Sequence, residues 1–270
     1  MHWLRCLSCG HWESIKTMIT DQRAAHVVNA TDAQGRTALM QAVCARRPDV
    51  VQALLTLDKL RINATDHEGN TALLLAAYVG DDGLVDVLCS ADINAADHQG
   101  DTALIVAANN AHLHIVTRLL QLPAIDINIA NKCGLTALHC AALADHSYIV
   151  DALLNSDCID VNAVDENEHS ALMLAAASGN LESAELLRND PRCNVNLRDG
   201  ENKTAAMFAQ DYAALPDSLP PRPSQFNCGP PCLHASSRTM SHLLHLRCCS
   251  TRAKPEDSIP LVVFKSTAPH

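Results

Sequence analysis

Asp66-His-Glu-Gly-Asn-Thr-Ala-Leu-Leu-Leu-Ala-Ala-Tyr-Val-Gly80 is the stretch that decides the fold. Its front, Asp66 to Gly69, is turn chemistry. A short Asp side chain can accept from the backbone just ahead of it, and glycine supplies a left-handed conformation closed to most residues. Thr71 follows as a helix N-cap, with a hydroxyl placed for an otherwise orphaned backbone N–H. Leu73 to Ala77 then reads as a short helix whose paired alanines let a neighbouring helix come close. Gly80 suits the left-handed residue that ends such a helix.

The same order returns along the chain. Thr71-Ala72-Leu73 recurs as Thr37-Ala38-Leu39, Thr102-Ala103-Leu104, Thr136-Ala137-Leu138, Ser170-Ala171-Leu172 and Thr204-Ala205-Ala206, at successive spacings of 34, 31, 34, 34 and 34 residues. Five residues before each stands Asp32, Asp66, Asp97, Asn131, Asp165 or Asp199, and three residues earlier an asparagine: Asn29, Asn63, Asn94, Asn128, Asn162 or Asn196. A second helical pattern follows the first in each copy, as in Val51/Leu54/Leu55, Val116/Leu119/Leu120 and Val150/Leu153/Leu154. An Ile-Asn or Val-Asn stretch then leads into the next turn. Two helices and a turn cannot enclose their own apolar faces, so the copies must stack. The expected fold is an all-α solenoid of helix–turn–helix units with turn-shaped tips.

This pattern resembles an ankyrin repeat protein. The resemblance rests on the Asp-x-x-Gly-x-Thr-Ala-Leu openings, on Ala76-Ala77, Ala107-Ala108, Ala141-Ala142 and Ala175-Ala176, and on the asparagine before each turn. It implies a partial repeat over 1–31, five full repeats over 32–198, a partial repeat over 199–215 and a tail over 216–270. Alanine replaces the family's proline after the cap, and only His139 keeps the family's histidine. Glu168 and Asn202 replace the turn glycine, which predicts strained or reshaped turns there. The second repeat is three residues short between Leu88 and Asn94, a loss expected to fall on the loop rather than the helix.

Composition sets outer limits. The 270 residues are 48% hydrophobic but only 3% aromatic, so the core must be built from Leu, Val, Ile and Ala. The longest apolar run, Ala72 to Val79, is far short of the roughly 20 residues that span a bilayer. No apolar stretch follows Met1-His2-Trp3-Leu4-Arg5-Cys6, so no secretory leader is expected. Net charge is −10, divided as −13 over 1–215 and +3 over 216–270. An acidic body repels a phosphate backbone, which excludes nucleic acid as its partner. Twelve cysteines without disulfide spacing read as free thiols in a reducing compartment, cytoplasmic or nuclear.

Chemistry-bearing motifs are missing. There is no Gly-rich phosphate loop, Gly-x-Ser-x-Gly elbow or His-Glu-x-x-His, and His139-Cys140 is explained by its place in a repeat helix. Neither catalysis nor a cofactor is expected. The tail opens with four prolines between Pro216 and Pro223 and mixes Ser, Cys, His and Arg, a composition that predicts disorder apart from a short amphipathic helix over Thr239 to Cys249. Cys228-Gly-Pro-Pro-Cys232 lacks the second well-spaced pair of a zinc site. Leu243-Leu-His245-Leu246-Arg247-Cys248 with Ile259-Pro260-Leu261 is faintly similar to a SOCS box, although Arg-Cys reverses the family's order and Arg252 falls where an apolar residue belongs. That resemblance would make the chain an adaptor recruiting elongin and cullin subunits of a ubiquitin ligase.

The ankyrin resemblance implies protein partners held in a concave groove formed by the turn tips and the exposed side of each first helix. The positions are Ala33, Gln34 and Arg36 in the first repeat, then His67, Glu68, Asn70, Tyr78 and Val79 in the second. The third supplies His98, Gln99, Asp101, Asn109 and Asn110; the fourth Lys132, Leu135 and Leu143; the fifth Glu166, Asn167, His169 and Ser178. Tyr78 stands out because exposed aromatics anchor interfaces. His67, His98 and His169 share the tips but sit on different repeats, roughly 8–10 Å apart if spaced as packed helices are, too far to share one metal ion.

Overall fold

The computed structural model describes residues 11–20 and 28–213, all within the first of the two units into which the chain divides, Met1–Pro221. The tail, with its SOCS-like stretch, its Cys228–Cys232 pair and the Thr239–Cys249 segment, lies outside the described residues. Among the described residues there are twelve α-helices and no strands. A partial unit contributes α1 (Trp12–Thr20). Five helix pairs follow: α2 (Ala38–Cys44) with α3 (Pro48–Leu55), α4 (Ala72–Val79) with α5 (Asp82–Val87), α6 (Ala103–Asn109) with α7 (Leu113–Leu120), α8 (Ala137–Leu143) with α9 (Ser147–Leu154), and α10 (Ala171–Ser178) with α11 (Leu181–Asn189). A lone α12 (Ala205–Ala213) ends the series.

None of these helices exceeds nine residues, well below the length at which an isolated helix holds in water. Stacking supplies what length does not. The first helices α2, α4, α6, α8, α10 and α12 pack side by side, and the second helices α1, α3, α5, α7, α9 and α11 pack likewise in a second layer. Between the layers lies a continuous aliphatic core that includes Leu39, Leu73, Leu104 and Leu138, each at most 1% exposed. The alanine pairs are buried where first helices touch, with Ala76, Ala77, Ala107, Ala108, Ala141 and Ala142 fully enclosed. Position three after each cap faces the next repeat: Leu74, Ile105, His139 and Met173 are buried, whereas Met207 on the last helix is 44% exposed.

Each first helix starts as its sequence dictates. The hydroxyls of Thr71 and Thr102 accept the Leu74 and Ile105 N–H at 3.3 and 3.4 Å, and Ser170 accepts from Met173 at 3.4 Å. Thr37 does the same for Met40, whose Sδ accepts the Thr37 N–H in return. Gly80 (φ 75°) and Gly179 (φ 66°) end α4 and α10 in the left-handed conformation. Arg46, Ala111 and Asp145 take that conformation without glycine in the other repeats.

One expectation is corrected, and a choice between two others is decided. The three-residue deletion in the second repeat shortens its second helix, since α5 has six residues where α3, α7 and α9 have eight. The helix starts in register at Asp82 and ends two residues early, and the loop before Asn94 gives up the third residue. Of the two outcomes expected for the turns at Glu168 and Asn202, strain rather than reshaping is found. Both residues adopt the glycine conformation (φ 65° and 66°), and their N–H groups still bond to the Asp165 and Asp199 carbonyls at 3.0 and 2.9 Å. The conformational cost is borne by the residues themselves.

Candidate protein-binding face

The turns form a row of fingers held by their first residue. Asp66 Oδ1 accepts the Glu68 and Asn70 N–H at 2.9 Å each; Asp32, Asp97, Asn131, Asp165 and Asp199 repeat the arrangement. Neighbouring fingers are tied by one backbone bond: His67 N–H to Gln34 O at 3.0 Å, His98 to Glu68 and Lys132 to Gln99 at 2.9 Å, Glu166 to Cys133 at 3.1 Å. The last tie, Gly200 to Asn167, stretches to 3.5 Å. This row explains the turn glycines doubly. A Cβ on Gly134 would lie 2.7 Å from the Glu166 nitrogen, so glycine answers both the backbone conformation and the close approach of the next finger. The wider last gap is where Glu168 is accommodated.

His67 and His98 are exposed, yet each ring leans on the preceding finger's glycine, Gly35 and Gly69. Glu68, Gln99, Lys132 and Glu166 are exposed at the tips; Asn167 is half-buried and its carbonyl takes the Gly200 bond. The residues just before each cap behave differently, because they brace the fingers. Arg36 pairs with Asp32 at 3.1 Å, Asn70 donates to Asp66 at 3.1 Å, and Asp101 accepts from Asn131 at 2.8 Å. His169 contacts Asp165 at 3.2 Å and Asp199 at 3.6 Å. Leu135 in this column is buried (1% exposed) and leaves the candidate face, its aliphatic side chain turning inward where the others bond to the turn.

Burial pushes the Asp101 carboxyl above its ordinary range, against the lowering effect of the Asn131 bond. Burial would also raise Asp165, but its hydrogen bonds from His169 outweigh that and hold it low. His139, enclosed between the fourth and fifth repeats, is pushed down by burial and stays neutral. Its Nδ1 takes the Thr136 N–H at 3.2 Å, so Nε2 carries the proton it shares with the His169 carbonyl, 3.2 Å away.

Beyond the fingers, the first helices present one strip to solvent. Tyr78 is 41% exposed, and Val79, Asn109, Asn110, Leu143 and Ser178 are half-buried beside it. The structure adds a column one turn earlier that escaped the sequence reading: Gln41, Leu75, Val106 and Leu174, all half-buried, four residues after the caps of α2, α4, α6 and α10, whereas Cys140 at that place in α8 is buried. Helical spacing carries the signal, since residues four apart share a face. The second-helix layer has its own exposed apolar residues, Tyr148 at 76% and Leu181 at 75%, and a shallow depression of about 440 Å³ between α7 and α9 lined by Leu113, Leu120, Tyr148 and Ala152.

The ankyrin-repeat family models match residues 58–131 and 121–199, as three-copy ankyrin repeats, and residues 34–67, as a single ankyrin repeat. The chain belongs to the ankyrin repeat family, whose members are protein-interaction modules. Among solved structures it is similar to the ankyrin repeat domain of Bcl-3, described as a unique member of the IkappaB family, with a TM-score of 0.68 and 26% identity over 76% of this chain and 91% of that one. It is also similar to the ankyrin repeat protein EF0377, with a TM-score of 0.61 and 25% identity over 68% of this chain and 94% of the other. No curated protein matches. No described helix is long and apolar enough to cross a membrane.

Proposed function

We propose that the chain is a non-catalytic scaffold that binds a partner protein along the strip made by its fingertips and the solvent-facing side of α4, α6, α8 and α10. The observation that carries this reading is the pairing of a rigid frame with a variable lining. The turn Asp or Asn and the cap repeat in every unit, and the alanine pair in four of them, while the tip and helix-strip positions change from repeat to repeat and, Leu135 apart, stay at least partly accessible. Tyr78 is its anchor. Among the described cysteines Cys44, Cys89, Cys158 and Cys193 are free thiols, in keeping with a reducing cytoplasmic or nuclear setting.

Affinity purification of the full chain, compared with a Tyr78→Ala/Leu143→Ala variant and with Tyr148→Ala on the second-helix layer, tests the reading. A partner kept by Tyr148→Ala and lost by the first variant supports it; the reverse pattern moves the binding face to the other layer. Recovery of elongin or cullin subunits that depends on residues 216–270 would instead favour a ubiquitin-ligase adaptor.

A further inference from the structure

The described body is acidic on both layers, but its charges avoid one surface. The helical segments α2, α4, α6, α8 and α10 contain no Asp, Glu, Lys or Arg at all. Their solvent strip is floored by Leu75, Tyr78, Val106, Leu143 and Leu174, with Asn109 among them. The six fingers beside that floor hold ten carboxylates against three cations, Arg36, Lys132 and Lys203. Two of those cations are already engaged, Arg36 with Asp32 and Lys203 with Glu201 at 3.2 Å. Most other cations of the described body belong to the second-helix side and its loops, as do Arg47, Arg118 and Arg192, each paired with a local carboxylate.

An uncharged apolar floor edged on one side by a negative row selects its occupant chemically. An acidic segment would be repelled by the fingers, and a purely apolar one would leave them without a counterpart. Resting on the binding face proposed above, we infer that the partner contributes an amphipathic polypeptide segment, with aliphatic or aromatic side chains on the Tyr78–Leu143 floor and Lys or Arg side chains reaching the fingers. Long cationic side chains suit this, because their methylene stems can lie on the floor while the charged ends extend to Glu68, Glu166 and Glu168. The fingers also steer encounter, so association accelerates at low ionic strength and slows as salt screens them.

A random-peptide display library panned against the full chain tests this. The recovered pool is expected to be enriched in Lys and Arg at apolar-interrupted spacing relative to the unselected library. Panning against Glu166→Lys/Glu168→Lys should reduce recovery of the wild-type winners roughly fivefold, whereas Glu182→Lys/Glu185→Lys on α11, which changes net charge equally, should not. A pool with no gain in positive charge, an absence of any enriched pool, or equal losses in the two charge reversals overturns the inference. Winners without positive charge that still vanish with Tyr78→Ala would leave the binding face standing and remove only the charge rule. Winners indifferent to Tyr78→Ala but lost with Tyr148→Ala would remove the face itself.

Discussion

His169 stands between the carboxylates of two successive turns, its Nδ1 3.2 Å from Asp165 Oδ2 and its Nε2 3.6 Å from Asp199 Oδ2. The ring also meets Phe208 of α12 edge-on, with centroids 5.7 Å apart. The Asp165 hydrogen bond raises the histidine's pKa above its usual 6.5, against the lowering effect of burial, and the charges of Asp165, Asp199 and Glu201 add to the rise. Because the folded value is the higher one, this stabilisation is fully present below the unfolded value and is lost as pH rises through the raised folded value. The last repeat should therefore be held most firmly in mild acid and loosen on passing to neutral and weakly alkaline pH. Hydrogen exchange of α12 amides, corrected for intrinsic rates, checks it, and His169→Gln should abolish the trend. His139 acts in the opposite sense, since its lowered pKa costs stability as pH falls below about 6.5. A readout local to α12 keeps the two apart.

Gly134 and Glu168 occupy the same place in consecutive turns, with φ of 76° and 65°. Gly134→Ala adds left-handed strain and a contact with the next finger's backbone, and should cost about 2 kcal/mol or more. Glu168→Gly relieves about 1–2 kcal/mol of strain but returns roughly 0.5–1 kcal/mol as backbone entropy, for a small net gain. Urea midpoints of the two variants should move in opposite directions. A loss of stability in Glu168→Gly would show that its conformation is not strained.

The asparagines before the turns tie each unit to the next. Asn128 donates to the Cys158 carbonyl at 2.8 Å and accepts the Asp160 N–H at 2.8 Å, and Asn94 and Asn162 form the same pair of bonds one repeat on. Asn63, facing the shortened second repeat, keeps only the Asp92 N–H at 2.9 Å. Asn128→Ala should therefore destabilise by about 1–2 kcal/mol and Asn63→Ala by roughly half as much. Thermal melts of the two variants give the comparison; equal shifts would mean that the second bond contributes nothing.

The turn, cap and helix order is legible in the sequence because each step is decided within a few residues: Asp66 by its reach to Asn70, Thr71 by its reach to Leu74, Gly80 by its backbone freedom. Ties between repeats are not legible in the same way. His146 reaches the Asn109 carbonyl at 3.1 Å, and Asn180 reaches Ala142 and Leu143 at 2.7 and 3.0 Å, closing the orphaned end of the preceding repeat's first helix. Which carbonyl such a side chain meets depends on how two repeats sit side by side, and no local pattern encodes that. For the same reason the residues before the caps read as groove lining, whereas Arg36, Asn70, Asp101 and His169 brace the fingers. Nothing in the local pattern sets Leu75, Val106 and Leu174 apart from other aliphatic residues, and only the stacked helices leave their edges open.

Hydrogen exchange of the full chain, free and bound to a captured partner, tests the central claim most directly. Binding along the proposed face should slow exchange in the fingers at 66–70, 97–101 and 131–135 and in α4, α6 and α8, while α5, α7 and α9 remain as in the free protein. Protection concentrated on α7 and α9 around Tyr148, with the fingers unchanged, would contradict it.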